Sequence, residues 1–282
     1  MNFVFYNGEY YPSSGPVISV SNRGFHYADG FFESIRLVDG SPIFLEDHFS
    51  RILDSLKAYR IDRHLNFSLQ YLEKEITDLA KKNDIKNGGR VRITFTRKGP
   101  GTYLPLENDM EYLIEAYPLT DNMFRLNEKG LNVDLCLEFK KDLHKLAIFK
   151  NLDCKLYIQA SLFAREKGID DALIQNYKGG IIEATSSNLF LVSNGVLYTP
   201  GLEDGPIAGT MRMQIINLAL KNNIKVYECT LNPQNLLAAD ELFLTNAVQG
   251  IRWVGSYRTK RYFNETSVKL CRMLNEMLDI KI

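Results

Sequence analysis

Four short stretches of the chain hold residue types that could do chemistry. Lys150 closes the apolar run Leu146-Ala147-Ile148-Phe149, and an amine held against such a wall can be tuned to attack a carbonyl. The glycine-rich turn Asp204-Gly205-Pro206-Ile207-Ala208-Gly209 leads into Thr210-Met211-Arg212-Met213. A helix starting there would aim backbone N–H groups and the positive end of its dipole at an anion. The turn has neither the G-x-x-x-x-G-K-[ST] nor the G-x-G-x-x-G pattern, so a nucleoside triphosphate or dinucleotide is not indicated. Arg51, on the polar side of an amphipathic stretch, could clamp a phosphate with two parallel hydrogen bonds. Glu183 is the only charged residue between 179 and 192. A carboxylate there is costly unless it meets a cation or a protonated ring nitrogen.

Each feature also has a plain structural reading. Lys150 could be solvated and the glycine turn could be no more than a helix start. Arg51 could make a surface pair with Asp47, its i,i+4 neighbour, worth about 0.3–0.5 kcal/mol. Glu183 could cap a turn. The combination says more than its members: an amine, a phosphate cup, an arginine and an isolated carboxylate are the parts needed to hold pyridoxal phosphate as a Schiff base.

The elements that must position these residues fall into two groups. The chain has 282 residues, long for one core, so two domains sharing a cleft are expected, at 1–117 and 126–282 with a crossing at 118–125. In the first, Asn7-Gly8 and Asp39-Gly40 each suit a tight turn with positive φ, which predicts hairpins 3–6/9–11 and 34–38/42–45. Phe49, Ile52, Leu53 and Leu56 make one helical stripe, and Leu69, Leu72, Ile76 and Leu79 a second. Strands at 90–96 and 111–117 complete an α+β unit. The loop 98–108 between them, with Gly99-Pro100-Gly101 near its start, is a candidate lid. Strands and helices then alternate: a strand at 133–137, a helix at 156–167 and a strand at 172–176. A hairpin 187–192/196–199 follows through Asn194-Gly195. A helix from 210, strands at 225–228 and 241–245 and a helix at 265–278 complete an α/β second half.

Taken together, these residues resemble the class IV (fold type IV) pyridoxal-phosphate enzymes, which include branched-chain and D-amino-acid aminotransferases and 4-amino-4-deoxychorismate lyase. The likeness runs through Asn22-Arg23-Gly24-Phe25-His26-Tyr27-Ala28-Asp29-Gly30-Phe31-Phe32-Glu33-Ser34-Ile35-Arg36, residues 45–51, Phe149-Lys150-Asn151-Leu152-Asp153, residues 183–190, Tyr198-Thr199-Pro200, Gly209-Thr210-Met211-Arg212 and residues 239–247. The resemblance implies a two-domain fold with pyridoxal 5'-phosphate at the domain interface and Lys150, in the larger domain, as its Schiff-base residue. It places Glu183 at the pyridine nitrogen, Arg51 and the backbone of Thr210 and Met211 at the phosphate, and Asn246 and Ala247 in the remaining phosphate-side turn. Lys150 would also move the proton between substrate and cofactor. Phe32, Arg92, Arg97 and Tyr103 are the candidate substrate contacts. The family is usually dimeric, so a homodimer is expected.

Substrate choice divides the family. The Arg-x-His carboxylate trap of the D-amino-acid enzymes is absent, since Thr102-Tyr103-Leu104 stands there, which disfavours a D-amino acid. Branched-chain enzymes carry Tyr-x-Arg where this chain has Arg90-Val91-Arg92, and a tyrosine five residues past the lysine where this chain has Lys155. Lys150-Asn151-Leu152-Asp153, Gly209-Thr210-Met211-Arg212 and Asn246-Ala247 resemble the lyase, and Glu33 the transaminases. The leading expectation is a transaminase acting on a small amino acid, with deoxychorismate lyase as the alternative and a cofactor-binding protein without turnover as a third reading.

Composition excludes other classes. Lys plus Arg and Asp plus Glu are both 34, so no basic field is available for nucleic acid or an anionic membrane. Cys136, Cys154, Cys229 and Cys271 are scattered and make no C-x-x-C pair, and the four histidines lack metal-ligand spacing. No metal is expected. The start of the chain lacks a basic n-region and no apolar run spans a bilayer, so a cytoplasmic protein is expected.

Overall fold

The structure, a computed structural model, describes residues 2–280. The chain divides into two compact units. One runs up to Met123 and includes Phe149–Asp153; the other is Phe124–Ile148 with the chain from Cys154 onward.

In the first unit, β1 (Phe3–Tyr6), β2 (Glu9–Pro12), β3 (Gly30–Val38), β4 (Ser41–Pro42), β5 (Gly89–Arg97) and β6 (Met110–Pro118) form an antiparallel sheet in the order β2-β1-β6-β5-β3-β4. Both expected turns form, with positive φ at Asn7, Gly8, Asp39 and Gly40. The second hairpin has a short partner. β4 is two residues long, because the chain from Leu45 turns into helix instead of continuing as strand. Three helices accompany this sheet: α1 (Arg23–Tyr27), α2 (Leu45–Tyr59) and α3 (Leu69–Lys82). Ile52, Leu56, Leu72, Ile76 and Leu79 of the two long helices pack with Phe31, Ile35, Leu37, Val91, Ile93 and Phe95 of the sheet. Each such side chain, fully buried, contributes about 1.5–3 kcal/mol.

Alternation then sorts the two sheet faces. Phe31, Glu33 and Ile35 are buried, while Phe32 and Ser34 between them are half-buried, as a period of two requires. Arg92 and Thr94 of β5 share the half-buried face, since Thr94 is paired with Phe32 and Arg92 with Ser34.

In the second unit the strands are β7 (Leu131–Lys141), β8 (Asp171–Asn176), β9 (Ile181–Ala184), β10 (Asn188–Ser193), β11 (Val196–Thr199), β12 (Val226–Glu228), β13 (Glu241–Asn246), β14 (Gly250–Tyr257) and β15 (Lys260–Arg261). Their helices are α4 (Lys155–Lys167), α5 (Thr210–Lys221), α6 (Pro233–Ala238) and α7 (Glu265–Met277). The sheet is mixed, ordered β12-β11-β10-β13-β14-β7-β8-β9. β9 also meets β10 at Glu183 and Asn188, so six strands close on themselves. The β7–β8 register shifts between Cys136 and Lys140, and the β8–β9 register shifts next to Ile174 and Glu183. Such bulges re-aim the side chains beside them. No helix among the described residues is long and apolar enough to cross a membrane.

The pentapeptide Phe149–Asp153 belongs to the first unit, although chain order alone placed it with the second. Its backbone pairs with the start of β3: the Phe32 N–H donates to the Lys150 carbonyl at 2.8 Å and the Leu152 N–H to the Gly30 carbonyl at 3.1 Å. Gly30 permits this. A Cβ at that position would lie 2.0 Å from the Phe95 carbonyl oxygen and 3.1 Å from Leu152 Cδ1. Gly30→Ala is therefore expected to lower unfolding stability by about 1–3 kcal/mol in urea titrations; an unchanged midpoint would show that the strand edge has room to spare.

Candidate active site

In the first unit, Lys150 is held by the backbone pairing just described, and its Nζ lies 4.6 Å from the centroid of the Phe32 ring. Arg92 lies against the same ring, with Cζ 3.9 Å from the centroid, and its Nε reaches Thr94 Oγ1 at 3.3 Å. Three of the residues singled out from sequence, Lys150, Phe32 and Arg92, thus meet on the half-buried sheet face.

Arg51 sits on α2. Its guanidinium grips Glu33 in a two-point pair, Nε to Oε1 at 2.7 Å and Nη2 to Oε2 at 2.6 Å. His48 Nδ1 is 2.8 Å from Glu33 Oε2. Glu33 is 1% exposed, so this is a buried charge network. The bidentate contact fixes the plane of the guanidinium. Burial works against ionisation of Glu33, but the Arg51 charge and the bonds from His48 and Arg51 outweigh it and bring the carboxyl down to about 2. Burial pushes His48 below its usual value, opposed by Glu33. The imidazole is therefore neutral and donates from Nδ1.

Arg97 and Tyr103 are placed elsewhere. The five N–H donors of Arg97 go to Asp29 twice, the Arg60 and Tyr59 carbonyls and Asn108 Oδ1. A guanidinium has five donors, so none is left for a substrate carboxylate. Arg97 instead ties the end of β5 to Asp29, to the end of α2 and to Asn108 of the loop that follows. Tyr103 is 90% exposed, its ring 5.9 Å from that of Tyr27. The loop that glycine and proline marked as a lid is tied down by Arg23, which donates to the Gly101 and Thr102 carbonyls, and by the Lys98 N–H to the Asp109 carbonyl.

In the second unit, Glu183 is 2% exposed and carries three donors. Lys141 Nζ is 2.7 Å from Oε1, the Tyr157 hydroxyl 2.8 Å from Oε1, and the Ile207 N–H 2.8 Å from Oε2. Glu183 therefore caps a turn and pairs with a cation at once. Burial, then the neighbouring Glu183 charge, pushes the Tyr157 phenol well above its usual value, so it stays a donor. The Ile207 carbonyl accepts from Asn188 Nδ2 at 2.7 Å, which clamps the glycine-rich turn from both sides of one residue. Neither Lys141 nor Tyr157 was singled out from sequence. They lie 42 and 26 residues from Glu183, and only the sheet register and the start of α4 bring them to it.

The same turn ends at Gly209, the N-cap of α5, whose first turn receives no side-chain cap. A Cβ at Gly209 would fall 2.0 Å from Asn188 Oδ1, so the backbone approach there needs glycine. Thr210 and Met211 are buried in the first turn. Asn246 closes β13, accepting from the Val248 and Gln249 N–H groups at 3.1 and 2.8 Å and donating to Ser187 Oγ at 3.0 Å. It thus shapes the turn containing Ala247. An uncapped twelve-residue helix opening on a glycine suits a phosphate, and a buried carboxylate with one oxygen accepting a single bond suits a ring N–H. Taken unit by unit, the residues present fit parts of pyridoxal phosphate: Lys150 and Arg51 supply an amine and a guanidinium in the first, and Glu183 and the start of α5 an acceptor and a phosphate cup in the second.

The Glu33 network carries a pH signature. A carboxyl depressed in the folded state from 4.5 to about 2 contributes stability above pH 4.5 that is lost as pH falls through that interval. The magnitude is on the order of 3 kcal/mol. His48, depressed from 6.5, acts in the same sense below pH 6.5. Glu33→Gln should be less stable than the parent at pH 7, with a deficit that narrows between pH 5 and pH 3 in urea unfolding. A deficit constant over that range would refute the assignment.

With the geometry in place, comparison with known proteins is informative. Residues 30–257 match the class IV aminotransferase family. A putative branched-chain-amino-acid aminotransferase of Methanocaldococcus jannaschii is 29% identical over 88% of this chain and 85% of its own length. The aminodeoxychorismate lyase of Bacillus subtilis is 27% identical over 87% and 83%. The crystal structure of the Thermoproteus uzoniensis branched-chain aminotransferase with norvaline superposes with a TM-score of 0.89 at 23% identity, over 99% of this chain and 96% of that one; at that identity it establishes the fold. The match spans most of the sequence, and the fold type IV architecture and the dependence on pyridoxal 5'-phosphate come with it: this chain belongs to the class IV aminotransferase family.

Proposed function

We propose that the protein is a transaminase that moves an amino group between a small amino acid and a 2-oxo acid, with Lys150 as the residue that joins the cofactor and shuttles the proton. The observation that carries this reading is the treatment of Lys150. Its carbonyl and the Leu152 N–H are hydrogen-bonded to the edge of β3 and its Nζ rests on the Phe32 ring, an arrangement unlike that of a solvated lysine.

When bound, pyridoxal phosphate supplies an electron sink for the charge left when the substrate's Cα–H breaks. The chain's residues supply the rest. Arg51, held rigid by Glu33, and the first turn of α5 at Thr210 and Met211 take the phosphate. Glu183 accepts the ring N–H, and the turn at Asn246 and Ala247 lines the phosphate side. Lys150, which would join the cofactor, would also be the base that takes the proton from the substrate's Cα and the acid that gives it back. Arg92, beside Phe32 on the same face, is the cation for the substrate carboxylate. Arg97 has no such part.

The test is a half-reaction screen of the cofactor-loaded protein with individual amino acids and with aminodeoxychorismate, following the visible absorption of the bound cofactor. An amino donor with 2-oxoglutarate should yield glutamate. Release of pyruvate and 4-aminobenzoate from aminodeoxychorismate, without glutamate formation, would overturn the reading in favour of the lyase. Lys150→Ala should lose the visible band and at least about 10²–10⁴-fold in turnover.

A further inference from the structure

Glu183 is expected to serve the ring nitrogen, yet it already has a cation. Lys141 Nζ lies 2.7 Å from Oε1, and both side chains are more than nine-tenths buried. Burying this pair brings a desolvation cost that apolar residues at the same positions would avoid, so stability alone does not explain it. The sheet is irregular just where the pair forms. β7 shifts register before Lys140 and Lys141, and β8–β9 shifts beside Glu183; these bulges turn Lys141 toward the carboxylate.

The two oxygens are used unequally. An ionised carboxylate offers about four acceptor positions. Oε1 takes the Lys141 ammonium and the Tyr157 hydroxyl, while Oε2 takes the Ile207 N–H. The groups facing Glu183 from neighbouring elements are Lys141 on β7, Tyr157 on α4 with Cys154 close to its phenol, and the uncharged Ile174 and Asn188 on the flanking strands.

Resting on the reading of Glu183 as the ring-nitrogen partner, we propose that Lys141 is a positioning residue for the cofactor. It fills Oε1 and balances the buried charge, so that Glu183 presents Oε2 as an oriented anionic acceptor for the ring N–H. Lys141 need not touch the cofactor. Its charge tempers the field that Glu183 exerts on the ring nitrogen, so it also sets the pH at which the bound ring titrates.

The test compares the parent with Lys141→Met, Lys141→Gln, Lys141→Arg and Glu183→Gln. Cofactor-free protein is titrated with pyridoxal 5'-phosphate from pH 6 to 8.5, and the visible absorption of each loaded protein is followed against pH. Lys141→Met should bind at least about tenfold more weakly, as loss of an outer-shell partner does, with a displaced absorption–pH curve. Lys141→Gln, which keeps a donor for Oε1 but no charge, should show the same displacement even if Lys141→Met folds poorly. Lys141→Arg should restore both properties. If the Met and Gln variants match the parent in affinity and curve while Glu183→Gln does not, Lys141 is a packing residue and the proposal is overturned. If Glu183→Gln also matches the parent, the underlying reading of Glu183 has failed.

Discussion

The site depends on a five-residue piece of backbone. Phe149–Asp153 departs from the unit that precedes and follows it in sequence and completes the edge of β3 in the other. Backbone pairing fixes the two peptides that follow Lys150, which anchors the lysine's backbone from its C-terminal side. A candidate catalytic group is placed more precisely on such a rigid element than on a loose loop. Gly30 is the residue that lets the strands approach, and Phe32, next but one along β3, supplies the ring on which the amine rests.

Two buried carboxylates follow one design. Glu33 holds Arg51 and His48 in the first unit; Glu183 holds Lys141, Tyr157 and the Ile207 N–H in the second. Neither is left with an unmatched charge, which would cost several kcal/mol. In both, the charged partner comes from a different element from the carboxylate, so the geometry depends on the tertiary fold. A network of this sort rigidifies the groups it joins, and in each unit one member is a residue proposed to hold the cofactor.

The sequence was most readable where local rules act alone. Asn7-Gly8, Asp39-Gly40 and Asn194-Gly195 marked their turns because only a few residue types tolerate positive φ, and α2, α3 and α7 followed their apolar stripes. β9 was missed because its four residues are buried on both faces and show no alternation. β14 was missed because glycine, arginine and serine dilute its pattern. Lys150, Arg51 and Glu183 stand out as candidates by motif and chemistry, but the side chains that Arg51 and Glu183 meet do not. Glu33 is 18 residues from Arg51 and Lys141 is 42 from Glu183. Helical spacing is local, so it offered Asp47 beside Arg51 and could not offer Glu33. Arg97 shows the converse: the resemblance drew it toward the substrate, whereas the fold spends its donors on Asp29, the end of α2 and Asn108.

The excursion of residues 149–153 also orders events during synthesis. The strand edge at Gly30–Phe32 cannot acquire its last partner until residue 153 has emerged from the ribosome, long after the remainder of that sheet is available to fold. Until then those backbone groups stay open to water or to a stray strand. A gene cut after codon 123 would encode a piece that keeps this open border permanently, so the two units are not separable by a single scission.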